Sequence, residues 1–278
     1  MNLALRGFFL LPSAFCLLAA WQAPDGSPLP FQTDEEVTAY LREARVVKAG
    51  PKKLGGVGGA RKVLLENGGI RAHAVFRSLQ RVYRNAWWDN GKFTAFLRDS
   101  YRNEIAAYEL SRLLGLDTVP PTVAWKMRGQ AGSLQLWIEN GEPGYNPNEA
   151  RRPPDPYRWQ NERDRMRVFD ALIENVDRNI GNMLIDPTGK VWWIDHTRSF
   201  GRRRDLDEAE LIQRCERDFY ERLKAADPRL IAERLALYID KREIEALLER
   251  RLKLIALIEE RIAQRSEPAV LFTLEAPQ

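Results

Sequence analysis

Three oxygen-bearing side chains near the middle of this 278-residue chain have the spacing of a metal-assisted reaction centre. Asp177 and Asn182 precede two short apolar runs, Met183–Ile185 and Val191–Ile194, and Asp195 follows them. Between the runs lies Asp186-Pro187-Thr188-Gly189, whose residue types are those of a hairpin turn. A hairpin here folds the chain back and sets Asn182 beside Asp195 at one end of the ladder. Two oxygen donors so placed suit magnesium, which prefers hard ligands and completes its shell with water and substrate phosphates. Asp177, on the loop before Asn182, then stands within reach of a hydroxyl presented to that metal.

Several upstream elements must position these groups. Residues Leu54 to Gly59 (LGGVGG) supply Gly55, Gly56, Gly58 and Gly59 ahead of a strand-like run over Lys62–Glu66. Asn67-Gly68-Gly69 reads as a hairpin turn into a second strand, Arg71–Leu79. Glycines between strands let backbone amides approach phosphates closely, although such clusters also serve as plain loops. Asp99 to Leu114 reads as a helix with Ser100 as N-cap and Gly115 as its stop. Val119–Val123 and Ser133–Glu139 are strand-like, and a further helix ends near Asn175. From Asp240 onward, Ile244, Leu247, Leu248, Leu252, Ile255, Ile258 and Ile262 form one helical stripe, and Asp240 with Glu243 forms a capping box.

The offset from Asp177 to Asn182 is that of the protein-kinase catalytic loop, where the base Asp precedes a metal-binding Asn and the metal-binding Asp follows across a hairpin. The segments D-R-N-x-x-N (177–182) and I-D-H (194–196) resemble the phosphoinositide 3-/4-kinase branch of the kinase-like superfamily, whose relatives include bacterial kinase-like proteins and secretory-pathway kinases. The resemblance runs from about Leu54 to the C-terminal helices, with only the catalytic-loop and metal motifs specific. It implies an α+β, two-lobed fold with a small β-rich N-lobe carrying one helix and a mainly helical C-lobe. It implies ATP and Mg²⁺ as cofactors, Asp177 as catalytic residue, and Asn182 and Asp195 as metal ligands. Glu104 would anchor the phosphate-binding lysine, and Trp137, Ile138 and Glu139 would lie at the interlobe hinge beside adenine. The corresponding divisions are a leader over 1–23, a linker and helix over 24–44, the N-lobe over 45–140, a Pro/Gly/Asn-rich insertion over 141–160, and the C-lobe over 161–278.

Two departures stand out. The strand that should carry V-A-I-K reads Ala74-Val75-Phe76-Arg77, with the forked guanidinium of Arg77 where the family has a compact ammonium. Arg77 holds phosphates itself, or Lys62 supplies the ammonium, or the site binds nucleotide without transfer. After Asp195 comes His196-Thr197-Arg198, with no glycine to let the backbone flip. Arg198, Arg202, Arg203 and Arg204 then form a cluster that is either solvated or turned to an anionic substrate.

Composition excludes other classes. Forty-three basic and 39 acidic residues leave a net charge of only +4, so no nucleic-acid partner is expected. Cys16, Cys215, His73 and His196 cannot build a disulfide framework or a zinc knuckle. The apolar run from Phe8 to Ala20 is short for a membrane span and fits a signal peptide, though Leu18 and Trp21 make a poor cleavage site. A cytoplasmic or membrane-associated location agrees with a need for ATP, and export by this leader is the alternative. The leading expectation is an ATP/Mg-dependent phosphotransferase acting on an unidentified hydroxyl acceptor, whether protein, lipid or small molecule. The competing ones are a pseudokinase that binds nucleotide or scaffolds, and an AMP-transferase on the same fold.

Overall fold

The computed structural model describes residues 21–274 apart from 52–58, 88–90, 92 and 147–149. Gly55, Gly56 and Gly58, and nearly all of the apolar leader, therefore lie outside the described residues. Helix α1 (Asp34–Glu43) opens on a capping box between Thr33 and Glu36 and is followed by β1 (Arg45–Ala49), β2 (Arg61–Asn67) and β3 (Ile70–Arg77). The β2–β3 turn uses Gly68 and Gly69, both at positive φ as a two-residue hairpin turn demands. Next come β4 (Gln80–Trp87), β5 (Phe93–Ser100), α2 (Tyr101–Leu113), β6 (Thr122–Met127) and β7 (Gln130–Leu136). Five of these strands make one antiparallel sheet in the order β1-β2-β3-β7-β6, while β4 and β5 form a separate two-stranded ribbon among the described residues.

Residues that alternate along β3 serve two faces. Ala72, Ala74 and Phe76 join Val63, Leu65, Leu134 and Leu136 in a core closed by Val37, Tyr40 and Leu41 of α1. His73, Val75 and Arg77 share the opposite face, where Lys62 and Gln135 stand opposite Val75 in register. That second face receives α2.

The remaining elements are β8 (Glu142–Pro143), α3 (Pro156–Ile173), β9 (Met183–Ile185), β10 (Val191–Trp193), β11 (Cys215–Glu216), α4 (Arg217–Ala225), α5 (Pro228–Leu235), α6 (Lys241–Arg265), α7 (Glu267–Val270) and β12 (Leu271–Phe272). Helices α2 to α6 enclose a second core around Phe169, Leu172, Phe219, Leu247 and Leu254. Strand β10 joins the two cores, because neighbouring residues point oppositely: Trp192 packs in the sheet core at 4.9 Å from Trp21, and Trp193 in the helical core. Among the described residues, no helix is long and apolar enough to cross a membrane.

Several expectations need correction. Strand β10 ends at Trp193 and not at Ile194, and the expected strand over Val119–Val123 starts only at Thr122. On α6, Leu252 is exposed, while Arg250 and Arg251 are buried, their guanidinium groups bonded to backbone carbonyls of Leu172 and Leu223. The segment read as an insertion contributes β8 to the β8-β9-β10 sheet and the start of α3. The β4–β5 ribbon was not expected at all. Its outer strand is wet on both faces, so it shows no alternation of apolar and polar residues.

Candidate active site

The hairpin β9–β10 pairs Met183 with Trp193, and the amide of Ile194 donates to the carbonyl of Asn182 at 3.0 Å. Asn182 and Asp195 thus lie at the same end of the ladder. Asn182 closes a single 3-10 turn (Ile180–Asn182), and its Nδ2 donates to the carbonyl of Asp177 at 3.1 Å, which turns Oδ1 the other way. Asp195 adopts φ +59, a left-handed conformation that Asp tolerates better than most residues and that recurs at functional positions. No glycine follows it, and the metal-motif Asp itself takes the unusual backbone.

Arg178 ties this arrangement together. Its guanidinium grips Asp170 of α3 by two bonds of 2.8 and 2.9 Å. Nη1 donates to the carbonyls of Asn182 and Ile194, and Nη2 lies 3.0 Å from His196 Nε2. An arginine donor facing Nε2 makes that nitrogen the acceptor and leaves Nδ1 as the ring donor. Nδ1 is 3.7 Å from Glu104 Oε2, and the backbone N–H of His196 donates to Glu104 Oε1. Sequence reasoning passed over Arg178, although the D-R step next to Asp177 was a usable signal.

Glu104, in the first turns of α2, is completely buried. Arg77 Nε is 3.5 Å from Glu104 Oε1, and Arg77 Nη1 donates to Gln135. Burial works against both charges. Arg77 nonetheless lowers the Glu104 pKa well below its ordinary value, with His196 contributing. Glu104 and Asp195 together hold Arg77 above its own. Arg77 therefore takes the place beside Glu104. Lys62 lies elsewhere, with Nζ 3.5 Å from Glu139 and 4.2 Å from the centre of the Trp137 ring, and His73 Nδ1 is 2.5 Å from the same Glu139. Ile138 is part of the sheet core. The small pocket lined by Trp21, Trp137, Ile138, Glu139 and the Asp186–Thr188 turn has a volume of about 10 Å³, room for about one water. Gly59 is at positive φ at the end of the Gly-rich segment.

Asp177 is half-buried, and its Oδ2 accepts from Arg198 Nη1 at 3.0 Å. Burial raises its pKa, Arg198 opposes that, and Asp195 and Asp99 add to it, leaving Asp177 above the ordinary carboxylate value. Each arginine of the cluster has an acidic partner, Arg204 at the exposed surface and the other three part-buried. Arg198 bonds Asp99 as well, Arg202 bonds Asp240 at 2.6 Å and covers the Phe96 ring, Arg203 bonds Asp207, and Arg204 bonds Glu249. Salt bridges that tie the segment after Asp195 to its neighbours consume these charges.

The Asp195 carboxylate acts on both Arg77 and Asp177 and so stands between the two ends of the site. Among the described residues, no group of three or more His, Cys, Asp or Glu side chains could hold a metal ion. Asn182 and Asp195 together fit a hard divalent cation that draws its other ligands from phosphate and water.

No protein-family model matches the chain. A curated relative, Protein Rv2133c of Mycobacterium tuberculosis, is 30% identical over 122 residues, covering 34% of this chain and 44% of that protein, less than half its length. Solved structures are similar over far more. Hydra Fam20, solved with sugar, has a TM-score of 0.62 at 18% identity, covering 90% of this chain and 95% of that one. The Golgi casein kinase has a TM-score of 0.57 at 17% identity, covering 86% and 79%. The Helicobacter pylori proinflammatory kinase CtkA has 0.51 at 14% identity, covering 82% and 98%. With a β-rich N-terminal region, a helical C-terminal region and these neighbours, the chain has the kinase-like fold of the solved structures it is similar to.

Proposed function

We propose that this protein is an ATP- and magnesium-dependent phosphotransferase acting on a hydroxyl acceptor. The observation that carries the reading is the convergence of Asp177, Asn182 and Asp195 at one end of the β9–β10 hairpin, facing the buried Arg77–Glu104 pair. A divalent cation held by Asn182 and Asp195 would neutralise charge on the phosphates of the nucleotide. Arg77, fixed by Glu104, presents a fork suited to phosphate oxygens. Asp177 takes the proton of the attacking hydroxyl while its oxygen takes the γ-phosphoryl group and ADP leaves. Its raised pKa keeps it closer to neutral pH than a free carboxylate, which favours proton acceptance.

The test is the melting temperature with and without ATP and Mg²⁺, beside Asp195→Ala, together with transfer of labelled phosphate by Asp177→Asn. Saturating nucleotide at about a hundred times Kd should add about 2.7 kcal/mol, roughly 5–10 °C. The shift should need Mg²⁺ and vanish in Asp195→Ala, and Asp177→Asn should keep it while losing transfer by orders of magnitude. Transfer that survives Asp177→Asn removes Asp177 as the base.

A second reading, a nucleotide-binding module without transfer, is favoured by Arg77 standing where the family has lysine. Arg77→Lys separates the two. A strong gain in transfer marks a decayed enzyme, and an unchanged or lower rate marks one adapted to arginine.

A further inference from the structure

Arg198 sits between two carboxylates from different parts of the chain. Nη1 donates to Asp177 Oδ2 and Nε to Asp99 Oδ2, each at 3.0 Å. Asp99, one residue before the end of β5, is buried. The backbone around Arg198 is held from both sides. Asn103 Nδ2 donates to the carbonyls of Thr197 and Ser199, the Ser100 amide donates to Thr197, and the Val176 amide donates to the carbonyl of Arg198 itself. Such fixing delivers the guanidinium to one place and lowers the entropy cost of holding it there. Among the described residues, the charged groups that act most on Asp177 are Arg198, Asp195 and Asp99, and Arg198 is the cation of the three. Tyr83 of β4 adds a further titratable group near Arg198.

Resting on the phosphotransferase reading above, we propose that Arg198 is a positioning residue: anchored by Asp99, it holds the Asp177 carboxylate by Oδ2 and leaves Oδ1 to receive the proton of the acceptor hydroxyl. The β4–β5 ribbon, through Asp99, thereby becomes part of the reaction centre and not an appendage of the sheet.

The experiment compares wild type with Arg198→Gln, Arg198→Lys and Asp99→Asn. Aspartate carboxyl groups are labelled with ¹³C and titrated by NMR, with Asp177→Asn assigning the resonance. The Asp177 pKa should rise by about 1–3 pH units in Arg198→Gln, since an adjacent opposite charge lowers a carboxylate by that amount. Arg198→Lys should restore most of the ionisation but not the rate, because a single ammonium cannot bridge both carboxylates as a fork does. The acidic limb of kcat/KM should move with the titration, while the melting shift given by ATP and Mg²⁺ stays. An Asp177 titration unmoved in Arg198→Gln overturns the proposal. So does loss of the nucleotide shift in step with the rate, which would make Arg198 a general support of the fold. If wild type transfers no phosphate, the phosphotransferase reading fails on its own, and the titration still decides whether Arg198 holds Asp177.

Discussion

Replacing Glu104 by Gln removes one charge from the most deeply buried ion pair that faces the reaction centre. Glu104 has no exposed surface, and the Arg77 side chain is only 9% exposed. A glutamine keeps an oxygen for the His196 backbone N–H, so the substitution isolates the charge from the hydrogen bond. It leaves a buried guanidinium with Gln135 as neutral partner and Asp195 as the nearby acid. Removing one member of a buried pair costs about 3–5 kcal/mol, because the survivor keeps its desolvation penalty without its partner. At about 2–4 °C per kcal/mol for a chain approaching this size, the melting temperature should fall by roughly 6–20 °C. The double variant Glu104→Gln/Arg77→Met should recover most of that loss, since replacing both charges by uncharged side chains of similar volume is often neutral. The assay is thermal and urea denaturation of all four members of the cycle at pH 7. A loss below about 1 kcal/mol in Glu104→Gln, or a double variant no more stable than the single, would refute the argument that the pair is coupled and dry.

Two further outcomes follow from the same physics. Glu162 of α3 is buried with Oε2 unpartnered, and burial, only partly offset by Arg165 and Arg158, raises its pKa from 4.5 to about 7. The folded chain then binds more protons than the unfolded one between those values, so this contribution to stability is full below about pH 4.5 and lost as pH rises through 7. Glu162→Gln should stabilise the protein at pH 8 by about 3 kcal/mol at most, at about 1.4 kcal/mol per pH unit, and by almost nothing at pH 4.5; equal melting curves for variant and wild type at pH 8 would contradict this. Gly132 of β7 leaves no room for a side chain: a Cβ there would meet the Arg77 carbonyl oxygen at 2.3 Å and the Phe76 ring at 2.5 Å. Gly132→Ala should cost about 1–3 kcal/mol by forcing β3 and β7 apart, and a melting temperature within a degree of wild type would show that the strands yield.

What could be read from the sequence alone was governed by neighbours along the chain. Asp240 and Glu243 do form the capping box of α6, Ser100 does cap α2, and Gly115 ends it at positive φ. The Asn67–Gly69 and Asp186–Gly189 turns were equally legible, since residues two to four apart settle such signals without help from the rest of the fold. From the second turn came the juxtaposition of Asn182 and Asp195, which a hairpin imposes on whatever flanks it. Tertiary structure alone decided which cation meets Glu104. Arg77 and Lys62 both start on one sheet face, and the tertiary fold sets Glu104 of α2 beside Arg77 and Glu139, beyond β7, beside Lys62. The fates of Arg198, Arg202 and Arg204 were hidden for the same reason: their partners Asp99, Asp177, Asp240 and Glu249 are distant in sequence. Arg178 was visible as a residue but not as a hub, because its partners Asp170, Asn182, Ile194 and His196 converge only when the helical core closes around them. Charge is a property of the residue, but its partner is set by three-dimensional distance, and at this site the partners determine what each charge does.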